Sequence, residues 1–128
     1  MLNECHIQGR FVRDAELRRT KSGIAVVNFT LGVDRDYLDK EGKKITDWID
    51  FVAWREIGEE LAQTGKKGRM VVVDGKIQSK TWTTQSGSKR SGIEVNVTGY
   101  HFSDGMGGPG RVDTGDTPFT YSDDESPL

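Results

Sequence analysis

The sequence has one cysteine, two histidines and three prolines in 128 residues. A lone cysteine excludes an internal disulfide framework and fits a reducing compartment. One cysteine and two histidines also fall short of a four-ligand structural zinc site, so no metal is expected. No apolar run approaches the roughly 18 residues of a membrane helix. Residues 1–6 lack the basic and apolar stretches of an export leader, so a cytoplasmic protein with no membrane association is expected. Proline is missing from the first 108 positions, because all three lie at Pro109, Pro118 and Pro127. The length suits about one domain.

What is present is charge, unevenly spread. Residues 1–102 hold 17 Lys and Arg against 14 Asp and Glu, whereas residues 103–128 carry Arg111 against six acids, a net −5. The last stretch also has five of the 16 glycines and few apolar side chains. It cannot bury enough surface to offset its ordering entropy. The expected organisation is a folded domain over 1–102 and a disordered acidic tail over 103–128. A basic domain with an acidic tail suits a polyanion partner for the domain and a different partner for the tail.

Within the domain the apolar period is two. Odd positions read Ala25, Val27, Phe29, Leu31, Val33, then Ile49, Phe51, Ala53, then Val71, Val73, Gly75, Ile77, then Ile93, Val95, Val97, Gly99. A first strand near 3–12 puts Cys5, Ile7, Gly9 and Phe11 on one side. Each is one apolar face of a half-buried strand. Residues 56–64 differ: Ile57 and Leu61 are four apart among glutamates, and Gly65 follows as a C-cap, which predicts a short helix. The fold class is therefore all-β with one short helix. Five strands with a helix between the third and fourth is the order of an OB-fold, a partly open Greek-key barrel. The polar connections 13–23, 34–47 and 83–92 would rim its binding face.

The even positions carry the functional signal. Trp48, Asp50, Val52 and Trp54 share the face opposite Ile49, Phe51 and Ala53. Asp74, Lys76, Gln78, Lys80 and Trp82 share the face opposite Val71 and Val73. Residues 66–90 hold seven basic side chains (Lys66, Lys67, Arg69, Lys76, Lys80, Lys89 and Arg90) and one acid, Asp74. A lone Trp in a small β protein usually packs into the core. Three on the non-core face, among lysines, instead suit single-stranded nucleic acid. Unpaired bases stack on aromatic rings for about 1–3 kcal/mol each. Basic groups neutralise phosphates and release counterions.

Other patterns carry little. Residues 105–110 match G-x-G-x-x-G but follow the last strand with no helix behind them. Asp34, Asp36, Asp39 and Glu41 alternate with basic residues, and Leu38 interrupts any EF-hand spacing, so they read as a solvated loop. A metal-dependent nuclease is therefore a distant alternative. Cys5 alternates with core positions and has no base partner, and the two histidines form no acid–base pair. No catalytic residues and no cofactor are expected.

Several segments recur together in a known order. They are Met1-Leu2-Asn3, Gly9-Arg10-Phe11, residues 13–18 (RDAELR), residues 23–31 (GIAVVNFTL), Thr46-Asp47-Trp48, Val52-Ala53-Trp54-Arg55, Lys67-Gly68, residues 73–78 (VDGKIQ) and residues 82–87 (WTTQSG). In that order the chain resembles bacterial single-stranded DNA-binding proteins over essentially its whole length. The resemblance implies an OB-fold that coats single-stranded DNA during replication, recombination and repair, near the nucleoid, as a homotetramer. It implies base stacking at Tyr37, Trp48, Trp54 and Trp82, with Tyr37 supported by the resemblance alone. It implies phosphate contacts at Lys76 and Lys80, which Lys89, Arg90, Lys66 and Lys67 would extend. Strand one would join subunits, although Glu4, His6 and Gln8 depart from the usual basic or apolar residues there. The acidic tip docks replication and repair enzymes in this family, matching Asp123, Asp124, Glu125, Pro127 and Leu128, with Leu128 in place of the usual Phe. The alternatives are an RNA-binding OB module and a protein adaptor that binds no nucleic acid.

Overall fold

The computed structural model describes residues 1–104; the expected acidic tail beyond Asp104 and its docking tip lie outside the described residues. Six strands and one helix run in the order β1 (Cys5–Phe11), β2 (Glu16–Arg19), β3 (Ala25–Leu38), β4 (Lys44–Trp54), α1 (Arg55–Thr64), β5 (Met70–Thr83) and β6 (Lys89–Phe102). The sheet order is β1-β5-β6-β4-β3-β2. A second pairing of β1 with β3, at Arg10 with Gly32 and Phe11 with Leu31, closes five of these strands into a barrel. This is the OB architecture expected from the element order, with β2 added beside β3.

The odd-numbered apolar positions do fill the barrel. Val27, Phe29, Leu31, Phe51, Ala53, Val71, Val73, Val95 and Val97 are buried together with Phe11 and Leu61. The rings of Phe29 and Phe51 stack with centroids 5.0 Å apart, and Phe11 lies 5.0 Å from Phe29. The helix presses Leu61 and Gly58 inward. Gly58 lies against the strand before it, since a β-carbon there would stand 2.6 Å from the Ala53 carbonyl oxygen. Two hairpins extend from the barrel. Between β3 and β4, Asp39 accepts the Glu41 and Lys43 N–H groups at 2.8 Å each, and Gly42 takes a φ of +80° that favours glycine. Between β5 and β6, Gly87 plays the same part at +86°.

Four features differ from the sequence expectation. Residues 16–19 form β2, where a loop was expected. All four side chains are exposed, so no apolar alternation marks the strand; it is held by pairing with residues 25–28 of β3. β3 and β4 run further into the expected loop 34–47, because their polar residues pair with each other. In β6, Thr98 is an extra residue, since Asp74 pairs with Gly99 but Gly75 pairs with Val97. Such a bulge reverses which side chains face inward. Tyr100 and Phe102 therefore pack against the core, where continued alternation would point them outward. Finally, Ile77, expected in the core, is 43% exposed, and Ile93 is 63% exposed. They sit where the β5–β6 hairpin runs past the buried part of the barrel.

The fold also continues past residue 102. The Ser103 N–H donates to the Met70 carbonyl, and Asp104 is buried against Arg69 with carboxylate contacts of 2.9 and 3.3 Å. The Arg69 guanidinium lies 3.6 Å from the centre of the Phe102 ring.

Candidate nucleic-acid interface

Strand alternation and register place the outward side chains of four neighbouring strands. Across β3 and β4 the pairs on the outer face are Gly32 with Trp48, Thr30 with Asp50, Asn28 with Val52 and Val26 with Trp54, of which Gly32, Val26 and Val52 are themselves buried. Across β5 and β6 they are Lys76 with Asn96, Gln78 with Glu94, Lys80 with Gly92 and Trp82 with Arg90. The strands meet where β4 runs parallel to β6, Val52 beside Asn96. Trp48, Trp54, Trp82, Lys76, Lys80 and Arg90 thus belong to one sheet face, as the even-position pattern suggested.

Each ring is half-exposed, with Trp48 and Trp82 at 46% and Trp54 at 41%. Glycine makes room for two of them. A β-carbon on Gly32 would stand 2.8 Å from Trp48, and one on Gly92 would stand 3.3 Å from Trp82. Lys80 Nζ lies 5.4 Å from the centre of the Trp82 ring, within cation–π range. Trp54 borders a cleft with Arg19, Gly23, Ile24, Arg55 and Ile57. Arg55, which opens α1 directly after Trp54, has a φ of +61°, a left-handed conformation costly for a side chain with a β-carbon.

The other expected contacts lie apart from this face. Tyr37 is exposed, and its hydroxyl accepts a 3.0 Å hydrogen bond from Arg35. Arg35 in turn makes a bidentate pair with Asp47 at 2.9 and 3.0 Å. Asp47 precedes Trp48 in β4 and points to the opposite side. Hydrogen bonding from Arg35, helped by its charge, outweighs burial and holds the Asp47 carboxyl below the usual range. Lys89 pairs with Thr83, one residue out of phase with Arg90, so it projects from the other side of the hairpin. Lys66 and Lys67 sit in the turn after α1, where the Lys67 backbone N–H donates to Asp14 at 2.9 Å.

Alternation shows which residues share a face but not which of them pair, and it missed one contact. Lys80 Nζ donates to Asp50 Oδ2 at 2.7 Å, and Thr30 donates its hydroxyl to Asp50 Oδ1 at 2.9 Å. Burial pushes Asp50 upward. The hydrogen bonds from Lys80 and Thr30, with the charges of Lys80 and Arg13, overcome that and hold it below the ordinary carboxylate range. A shallow groove beside the pair is lined by Arg13, Asp14, Asn28, Thr30, Asp50 and Lys80. Arg18 of β2 also belongs to the face, bonded to Asn28 at 3.1 Å, though its strand carried no sequence signal. Among the described residues no three His, Cys, Asp or Glu side chains are grouped to hold a metal ion. The Asp34 of the expected solvated loop is instead paired with Arg10 at 2.9 Å and Thr46 at 2.8 Å.

This geometry offers half-exposed flat rings with cations on the same face. Comparison with known proteins agrees in kind. The profile of the single-strand binding protein family matches residues 2–103. A single-stranded DNA-binding protein of Caldanaerobacter subterraneus subsp. tengcongensis is 38% identical over 110 residues, covering 86% of this chain and 73% of its own length. One from Oceanobacillus iheyensis is 39% identical over 114 residues, covering 89% of this chain and 71% of its own. Single-stranded DNA-binding protein A of Bacillus subtilis is 36% identical over 110 residues, 86% of this chain and 64% of its own.

Proposed function

The chain belongs to the single-strand binding protein family, and we propose that it coats single-stranded DNA with little sequence preference during replication, recombination and repair, as a binding protein and not an enzyme. The observation that carries this reading is the shared face of Trp48, Trp54 and Trp82 with Lys76, Lys80 and Arg90. Rings stack on any unpaired base, and cations between them meet the phosphates without reading sequence. A duplex has no free base faces to offer such a platform. Lys66, Lys67 and Lys89 extend the path of the strand around the barrel, and Tyr37 joins the stacking by leaving Arg35.

The assembly is a homotetramer in this reading. The support is β1, which pairs with β5 along one edge but with β3 only at Arg10 and Phe11. Among the described residues no strand pairs with the other edge of residues 5–9, which suits addition of a second copy, as unpaired strand edges favour. The exposed Ile77 and Ile93 add apolar surface on the neighbouring hairpin. Partner enzymes of replication and repair dock on the acidic tip, where Asp123, Asp124 and Glu125 offer charge and Pro127 and Leu128 an apolar end. The protein works in the cytoplasm, at the nucleoid.

The test is quenching of tryptophan fluorescence by oligo(dT) at two salt concentrations, with duplex DNA and RNA of equal sequence as competitors. Strong quenching that weakens with salt is expected. Preference for duplex, or for RNA over DNA, would overturn the reading.

A further inference from the structure

Lys80 lies beside the Trp82 ring, where a phosphate between stacked bases would pass, yet its ammonium is already engaged. It donates to Asp50 at 2.7 Å, and Thr30 holds the other oxygen of the same carboxylate at 2.9 Å. Asp50 belongs to the face of Trp48 and Trp54, so its negative charge stands among the very rings that would receive a polyanion. The pair is only partly shielded, with the Lys80 side chain 28% and the Asp50 side chain 48% exposed, so DNA can reach both groups. Arg13 borders the same groove.

Resting on the reading that this face binds single-stranded DNA, we propose that Asp50 is an internal counter-charge that competes with DNA phosphate for Lys80. Lys80 meets a phosphate only by releasing Asp50. The carboxylate then loses its cation near the DNA backbone and takes up one from solution. The lysine therefore adds less to affinity and to counterion release than an unpaired lysine such as Lys76 would. No bond is made or broken; the exchange is of one ion pair for another.

The experiment titrates the native protein, Asp50→Asn, Lys80→Gln and the double variant with oligo(dT) across a salt series. Asp50→Asn should bind about two- to fivefold tighter at low salt, the size of an exposed ion pair. Its plot of log affinity against log salt should steepen by about 0.7, one phosphate contact on a single strand. Lys80→Gln should lower the slope by clearly less than about 0.7 in the native background, and should remove the whole gain in the Asp50→Asn background. If the native protein binds but Asp50→Asn binds equally or more weakly, the inference falls and the function stands. If Lys80→Gln alone lowers the slope by the full 0.7, Asp50 does not compete, and this holds even where Asp50→Asn fails to fold. Absence of any binding by the native protein overturns the function itself, and the inference with it.

Discussion

The ring of Trp48 lies across the backbone of Gly32, its partner on the adjoining strand, so closely that a β-carbon at position 32 would stand 2.8 Å from it. No real β-carbon is accommodated at that distance without movement. The half-exposed ring can swing away, whereas the strand pairing beneath it cannot easily shift. Gly32 is itself buried beneath the ring, so Gly32→Ala should cost stability at the low end of the roughly 1–3 kcal/mol of an overpacked site, because the ring can move. It should weaken oligo(dT) binding by up to the roughly 1–3 kcal/mol of one stacked base. Thermal unfolding and fluorescence titration of the same preparation separate the two effects. An unchanged affinity would show that DNA does not use the ring in this position.

Trp54→Ala and Trp82→Ala should each weaken single-strand binding by about 1–3 kcal/mol and leave the far-ultraviolet circular dichroism unaltered. Tyr37→Ala should cost less than either, because its hydroxyl must first give up Arg35. If Trp54→Ala unfolds the domain, that ring is a structural support and not a platform.

Asp104 should matter to stability although it lies past the expected end of the domain. It is almost fully buried and its charge is met by Arg69. Removing one partner of a buried pair costs about 3–5 kcal/mol, since the other charge is stranded. Asp104→Ala should lower the unfolding midpoint sharply, and a chain ending at 102 should unfold at lower temperature than one ending at 104. Equal midpoints would show that the clamp is dispensable.

His6 introduces a pH dependence. Its Nδ1 lies 2.6 Å from Asp74 across β1 and β5. The hydrogen bond to Asp74, and then its charge, raise the imidazole above its ordinary value. A raised pKa in the folded state adds stability that is fully present below the unfolded value of about 6.5 and is lost as pH rises through the folded value. The native protein should thus lose stability relative to His6→Gln between pH 6 and pH 8, at the low salt where an exposed pair counts. A difference that does not vary with pH would remove His6 from the account.

Deleting residues 122–128 should leave oligo(dT) affinity unchanged or slightly tighter, because the segment is acidic and cannot hold a polyanion. Pull-down of a replication or repair enzyme should be lost, and Leu128→Phe should strengthen it by restoring a flat ring to the tip. Partner binding that survives the deletion would move recruitment to the folded domain.

Side-chain alternation within one strand is a local property, and so the sequence alone determined the two faces of the barrel. Successive side chains of a strand point to opposite sides whatever the partner. That is why the buried odd positions from Val27 to Val97 and the outward Trp48, Trp54 and Trp82 are legible in the sequence. The helix was legible for the same reason, from Ile57 and Leu61 four apart ahead of Gly65. What depends on the neighbouring strand was not legible. The extra residue Thr98, which turns Tyr100 and Phe102 inward, exists only relative to β5. β2 is made by pairing with β3 and buries nothing of its own. Lys80 carries no mark in the sequence of its bond to Asp50, 30 residues away. That pair is set by the sheet order, which lays β5 and β4 on either side of β6, and only the tertiary structure decided that the binding face holds an acid against one of its own lysines.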